Sequence, residues 1–502
     1  MSAPEPRVPD AGSQNESLQC EVAEHVGTPR FENPWRKASI LRLRMEPIET
    51  ADPDKPAGET AAVAPEPPPQ PVALPPPPRF WVAASELAAL ELIPWAFDRY
   101  VLDEDWARIS TDTVKENFET GFVYDHDDFQ VNQFGHPYHG SLFFNAGRSN
   151  GFGYWSSGLF ALAGSLGWEC CMENTAPSKN DLVNTTLGGM TRGEVAHRLS
   201  AMILDNTSGG GERFWRELFA TLINPVGGFN RLVRGDMARD FENPEERFPQ
   251  GFAAAADLGY RHVAGSEHAD QASLSIFARY GDPFAGDIQK PFDTFWAELD
   301  LNAPGGSTLT RLEERGLIKG WDWSPSASET RHIFNFSQEY AYVDNLAEVF
   351  GAQMFGMGLL SRYGSDRSIF ATTDLSAILI PLAGIQTVDF VNADSAYDYA
   401  PGAGLRAGAK LLNERGLELV SVSYSGIWLH TVDGVSDESK LHFLRGIGRI
   451  PLSRRFGVGG SYWWYARKTT YPGFTEPRQT QSEWRIFFNA TVGASGMRKP
   501  TT

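Results

Sequence analysis

Leu419–Trp428 reads LVSVSYSGIW. Val420, Val422, Tyr424 and Trp428 fall on one side of an extended chain, and Ser421, Ser423 and Ser425 on the other, because successive side chains of a strand point to opposite faces. Phe456–Lys468, FGVGGSYWWYARK, sets Phe456, Val458, Tyr462 and Trp464 opposite Gly457, Gly459, Ser461 and Arg467. Leu405, Ala407 and Ala409 likewise oppose Arg406, Gly408 and Lys410, and Trp484, Ile486 and Phe488 oppose Arg485, Asn489 and Thr491.

About twelve such segments begin near Phe252, Gln271, Phe292, Thr308, Arg331, Phe350, Ser368, Tyr399, Leu417, Leu441, Phe456 and Gln481. Each has roughly the nine to eleven residues that cross a bilayer at a tilt. Turn sequences such as NAPGG, YGSDR and DGVSDES separate them. A soluble sandwich also alternates, but its aromatic residues pack inward. Here the second face recurs as Ser, Gly, Asn and Arg, which suits a wet lumen, so the pattern predicts an antiparallel transmembrane β-barrel of about 12 strands. Tyr462, Trp463, Trp464 and Tyr465 are expected in a ring girdle at the headgroups.

The 502 residues divide unevenly, with about half of the 33 prolines in the first eighty positions. PEPPPQPVALPPPPRF, ending at Phe80, lacks the N–H groups that helix or sheet interiors need and predicts a semi-rigid spacer. The expected layout is α+β: a disordered Pro-rich segment over 1–80, a mainly helical domain over 81–245, the barrel over 250–495 and a tail over 496–502. A formal net charge of −19 without a long basic run argues against nucleic acid as a partner. Cys20, Cys170 and Cys171 form neither a disulfide framework nor a zinc spacing. The N-terminal residues show no apolar export segment, and an envelope location calls for one.

Between Phe80 and Asp240 the spacing becomes helical. ASELAALELIPWAFDRYV carries an apolar stripe interrupted by Pro94, and ERFWRELFATLINP predicts an amphipathic helix ending at Pro225. Read as one helix, SSGLFALAGSLGWECCMEN puts Ser157, Ala161, Ser165, Glu169 and Glu173 in one row, so small residues would pack against a second helix and two carboxylates would point into the contact. A second helix carries Gly189, Gly193, His197 and Ala201, with Glu194 and Arg198 one turn apart. A hairpin of the two brings Glu169 and Glu173 near Asn180, Asp181 and Glu194, and like charges so placed raise one another's pKa. Against this stands an ordinary reading: Glu194 with Arg198 as an i,i+4 pair, Asp181 as a helix cap, Glu169 and Glu173 as a solvated helix end.

Gln133–Gly140, QFGHPYHG, spaces His136 and His139 three apart around Pro137. A lone His-x-x-His falls short of the three ligands a metal site needs, and only Glu169, Glu173, Asp125 and Asp127 offer more donors. Pro137 between Gly135 and Gly140 predicts a rigid turn between strand-like DDFQVN and SLFFNAG. A hydrolase built on His136 or His139 with Ser141 or Ser149 and Asn145 or Asn132 is chemically allowed. The candidate catalytic residues are therefore His136, His139, Glu169, Glu173, Asp181 and Glu194. Tyr138, Arg148, Asn180, His197 and Arg198 are candidates for holding substrate. No metal and no cofactor are expected.

FDRYV, DDFQVNQFGHPYHGSLFFNAGRSNGF, GSLGWECCMEN, PSKNDLVNTTLGG and GEVAHRLS, in this order, resemble an uncharacterised bacterial family of outer-membrane-like proteins (domain of unknown function, number 3943), from about Glu86 to Asp240. The resemblance implies an envelope location and supplies no catalytic residues. The expected function is an outer-membrane barrel whose helical domain plugs or flanks it in a structural, transport or envelope-maintenance role, with outer-membrane lipid and an envelope protein as partners and the N-terminal segment in the periplasm. The alternative is an envelope enzyme hydrolysing lipid or glycolipid with the His, Glu and Asp cluster.

Overall fold

The computed structural model describes residues 77–492, except 268, 327, 365–367, 387–396, 414–415 and 476–477. The Pro-rich segment up to residue 76, Cys20 and the expected C-terminal tail lie outside the described residues.

Twelve strands make the C-terminal part: β1 (Phe252–Val263), β2 (Asp270–Tyr280), β3 (Phe295–Ala303), β4 (Leu309–Asp322), β5 (Arg331–Asp344), β6 (Val349–Tyr363), β7 (Ile369–Gln386), β8 (Tyr397–Asn413), β9 (Glu418–His430), β10 (Glu438–Pro451), β11 (Phe456–Tyr471) and β12 (Gln479–Val492). Each pairs antiparallel with its sequence neighbours, and β1 pairs with β12, Leu258 opposite Phe488 and Arg261 opposite Arg485. The sheet closes on itself and has no edge, the condition for a β-structure to stand in hydrocarbon. Pro381, which cannot donate to a ladder, sits where β7 shifts register between Ile380 and Ala383.

Contacts between strands that are not neighbours define the inside. Glu339 on β5 receives Arg406 of β8 at 2.6 Å, Asp300 on β3 receives Arg485 of β12 at 2.9 Å, and Arg449 of β10 holds Asp257 of β1 at 2.7 Å; Arg315 of the adjacent β4 joins Glu339 at 3.1 Å. Near the β5–β6 turn the lumen is filled by Phe350, Met354, Ile378, Ile380, Ile427 and Leu429. A cavity of about 430 Å3 remains, with Glu339, Arg406 and Arg449 among its lining. The alternation puts Arg406, Ser421, Ser461 and Arg485 inward and Leu405, Val422, Ile486 and Phe488 outward, the last 73% exposed. The expected girdle is corrected in one respect: Trp463 and Tyr465 face the lumen, Trp463 under the guanidinium groups of Arg311 and Arg445, and only Tyr462 and Trp464 point out. Four consecutive aromatic residues in a strand cannot share a face.

Among the described residues eight α-helices precede the barrel: α1 (Phe80–Phe97), α2 (Thr111–Thr120), α3 (His136–Arg148), α4 (Tyr154–Gly167), α5 (Lys179–Val183), α6 (Gly189–Ile203), α7 (Gly210–Ile223) and α8 (Pro225–Arg234). Local chemistry sets their ends. Ser110 and Thr113 form a reciprocal cap on α2, Ser178 caps α5, and Asn224 caps α8 with Pro225 at its first position. Glycines let α3 and α6 touch backbone to backbone: a Cβ on Gly140 would stand 1.8 Å from the Thr185 carbonyl oxygen, and one on Gly189 2.4 Å from the Gly140 carbonyl carbon. Arg148 of α3 and Arg198 of α6 both bond Glu194, at 2.7 and 2.8 Å.

These helices lie against the outward face of β3–β8. Tyr340 donates to the Gln133 carbonyl at 2.6 Å, Gln338 to that of Leu187 at 3.0 Å, and Tyr154 to Gln338 at 2.7 Å. Arg192 stands over the rings of Phe134 and Tyr340. Outward positions beneath the helices include Glu314, Gln338, Gln353 and Tyr399, all buried, whereas the uncovered wall shows Leu258, Leu375, Leu405 and Ile486. The helices and an exposed apolar band thus share the outer wall.

Two local expectations are corrected. QFGHPYHG is no turn: a π-helical turn, Val131–Gly135, runs straight into α3, and the carbonyls of Gln133 and Asn132, to which Pro137 has no N–H to donate, accept instead from Tyr340 and from Asn184 Nδ2. The row Ser157, Ala161, Ser165, Glu169, Glu173 also breaks. The α4 helix stops at Gly167, a wider π-helical turn spans Trp168–Met172, and Glu173 is extended. The wider turn shifts the register, so Glu169 and Glu173 point into different surroundings.

Glu339→Ala leaves Arg406 without its carboxylate partner and Arg315 with Asp374 alone, and is expected to destabilise the barrel by about 3–5 kcal/mol. A lowered urea midpoint for the heat-modifiable band checks this; an unchanged midpoint contradicts the pairing.

Candidate functional site

Three chain segments converge beside the first turn of α3. The extended piece before the π-helical turn pairs with the start of α5: Val123 N–H donates to the Pro177 carbonyl at 2.9 Å and Lys179 N–H to the Val123 carbonyl at 2.7 Å. This sets Asp125 beside Asn180, whose Oδ1 accepts from Asp125 N–H at 3.0 Å and whose Nδ2 donates to Asp125 Oδ1 and Asp181 Oδ1, both at 3.1 Å. The turn after α4 delivers Glu169, whose Oε2 accepts from Ser178 N–H at 2.8 Å. His136 opens α3 with Nδ1 3.2 Å from Thr185 Oγ1 and Nε2 3.5 Å from Asp181 Oδ1. One ligand atom from each of His136, Glu169 and Asp181 lies within 4.8 Å of the other two. The barrel reaches the same place from outside, since Asn132 Nδ2 bonds Asp125 Oδ1 at 2.8 Å and the hydroxyls of Tyr397 and Tyr399 at 2.6 and 2.8 Å.

Among the described residues no Lys or Arg is hydrogen-bonded to or ion-paired with Asp125, Glu169 or Asp181. Burial, with Glu173 adding, pushes Glu169 up to about 9, and burial together with Asp125 pushes Asp181 well above the carboxylate range. Burial works to raise Asp125 too, but hydrogen bonds from Asp181, Ser178, Asn180 and Asn132 outweigh it and hold the group low. Burial drives the His136 imidazole down to about 4. At neutral pH the cluster therefore shares one negative charge, with Asp181 donating to Asp125.

The other candidates lie elsewhere. Arg148, Glu194, His197 and Arg198 form a second buried network in which two arginines bracket one carboxylate, and Arg198 continues to Asp293 at 3.2 Å. Glu173 accepts from Trp168 Nε1 at 2.6 Å and from Thr175. His139 stands 3.2 Å from the Leu90 carbonyl, its ring against Phe143 and Trp168. Tyr138 is exposed beside Phe134. Ser141 donates to the Tyr138 carbonyl at 2.6 Å, and Asn145 to Ser141 and Gly193 carbonyls. Ser178, Thr185, Tyr397 and Tyr399 complete the first network. The sequence hint for the two tyrosines is their position two apart on the outward face of β8, where aliphatic residues prevail.

Glu169 is raised from 4.5 to about 9 on folding, so the stability it contributes is whole at low pH and is lost as pH rises through that window. In metal-free detergent, melting temperature should fall from roughly pH 5 to pH 9, and Glu169→Gln should flatten that slope by about one proton. An identical slope in the variant contradicts the assigned charge state.

No curated protein matches the chain. Among solved structures it is similar to the KdgM porin in complex with disordered oligogalacturonate, at 8% identity over 47% of this chain and 98% of that chain with a TM-score of 0.23. The NanC porin is similar at 8% identity, 47% and 99% coverage and a TM-score of 0.26, and an anion-selective porin from Comamonas acidovorans at 10%, 48%, 98% and 0.21. Closure of the strand order and the apolar outward band carry the barrel assignment by themselves. Residues 121–226 match the family model described as Domain of unknown function (DUF3943), the family that the motifs resemble. The chain folds as a closed antiparallel β-barrel, and the helices flanking its wall match this domain over residues 121–226.

Proposed function

We propose that the barrel is a filled anchor and that its helical domain works in the adjoining lipid, in an envelope-maintenance role. The observation that supports this most is an exposed apolar surface on the domain's helices alongside polar groups buried within it. Its interior holds Glu194, Arg198, Asn145, Asn230 and the His136 cluster, while its exterior shows Trp81, Ile93, Phe214, Phe219, Leu222 and Leu232. Phe80–Leu102 is long and apolar enough to cross a membrane, yet little of it is buried. The exposed rows of α7 and α8 lie on the domain that packs against the lipid-facing wall, so one apolar surface continues from strands to helices. β7 and β8, 18 and 17 residues long, exceed the roughly nine to eleven that cross a bilayer, which leaves room for helices at one leaflet. Cross-barrel ion pairs and the apolar filling of the lumen favour an anchor over a transport pore. In this reading outer-membrane lipid is the principal partner, an envelope protein a second one, and the segment before α1 is periplasmic.

A second reading, hydrolysis of lipid or glycolipid, is favoured by one contact, His136 Nε2 at 3.5 Å from Asp181. It predicts altered lipid composition in cells carrying His136→Ala with normal folding.

In liposomes, nitroxides on Phe219→Cys and Leu232→Cys should be relaxed by apolar oxygen more than by a water-soluble nickel chelate; the reverse order would remove the lipid-facing helices. Planar bilayers should show no steady open-pore conductance for the native chain, and a porin-sized conductance would restore the transport role.

A further inference from the structure

We propose that His136, Glu169 and Asp181 form a binding site for one first-row divalent cation, Zn2+ or Mn2+, with Asp125 and Asn132 as its supporting shell. The site is independent of where lipid meets the helices. Three ligand types converge from three elements, the start of α3, the turn after α4, and α5, with their nearest donor atoms all within 4.8 Å of one another. Donors about 2.0–2.2 Å from a tetrahedral ion stand roughly 3.3–3.6 Å from each other, so side-chain adjustment on the order of 1 Å closes the set. One imidazole with two carboxylates suits metals of borderline softness and leaves coordination positions open.

Geometry at the histidine points the same way. With the Nδ1 proton on Thr185 Oγ1, 3.2 Å away, Nε2 presents its lone pair to Asp181 Oδ1 at 3.5 Å, and two acceptors face each other. A cation between them satisfies both, with the Thr185 hydroxyl accepting from Nδ1. A second, separate observation lies in Asn132. This residue is fully buried and bonded through Nδ2 to Asp125, and its Oδ1 has no hydrogen-bond partner. An oxygen acceptor left over in a pocket of carboxylates is what a cation or its bound water would use. The neighbouring network, by contrast, balances Glu194 with Arg148 and Arg198. The His136 cluster has no such arginine, so a metal would supply the missing positive charge.

The test uses the full chain without a polyhistidine tag, purified in detergent, stripped with chelator and titrated with Zn2+ and with Mn2+. One equivalent of either metal should survive gel filtration, and the His136→Ala and Asp181→Asn variants should lose it. His139→Ala and Glu173→Gln, whose side chains lie outside the cluster, should keep it. Heat-modifiable migration shows which variants fold. Should the ligand variants misfold, X-ray absorption of the Zn2+-loaded native chain decides, with one imidazole and carboxylate oxygens expected around the ion. Failure of both metals to bind stoichiometrically, equal retention by folded ligand variants, or a coordination shell lacking imidazole would overturn the site.

Discussion

The constraint on which the molecule depends is that its outer wall meets two different surroundings. Closure through β1 and β12 satisfies the backbone, as hydrocarbon demands. Side chains then have to suit whatever touches them. Leu258, Leu405 and Phe488 stand on open wall, and lipid accepts them without further partners. Gln338, Tyr340 and Tyr399 stand on the same geometric face yet carry polar atoms that lipid could not satisfy. Each has a helix-borne partner instead: Tyr154 and Leu187 for Gln338, Gln133 for Tyr340, Asn132 for Tyr399. Polar outward residues therefore mark the footprint of the helical domain on the barrel.

The same division explains what could be read from the sequence. Strand number and starting points were legible because a period of two needs only local spacing, and Phe252, Arg331 and Phe456 open strands where the alternation starts. The orientation of Trp463 and Tyr465 was not, since an aromatic ring suits an interface and an arginine-rich lumen equally well, and the deciding partners, Arg311 and Arg445, lie far off in sequence. Among the helices the obstacle was different. Pattern reading assumes a constant 3.6 residues per turn, and π-helical turns at Val131–Gly135 and Trp168–Met172 break that assumption within a few residues of the chemistry. The gathering of Glu169, Asn180 and Asp181 was expected because it needs only a helix reversal. Proximity of His136 needed QFGHPYHG to be helical, and the involvement of Tyr397 and Tyr399 needed the barrel wall itself.

Two of the buried polar networks in the helical domain solve burial differently, and the difference separates their roles. Burying an ion pair is costly unless geometry and further hydrogen bonds compensate, and the Arg148–Glu194–Arg198 group meets that demand with bidentate contacts and a tie to Asp293. Burial works to raise Glu194, but the two guanidinium groups outweigh it and hold its carboxyl down to about 2, so this group is settled as a structural unit joining α3, α6 and the β2–β3 connection. The His136 group lies on the other side of the close α3–α6 crossing and reaches balance only by keeping protons on Glu169 and Asp181. Acid groups that fold in their protonated form contribute least when charged, so nothing in stability alone favours placing Glu169 and Asp181 beside the charged Asp125. The Gly140–Gly189 contact brings α3 and α6 backbone to backbone, and the two networks on these helices differ in what compensates burial, arginine around Glu194 and protons in the His136 group.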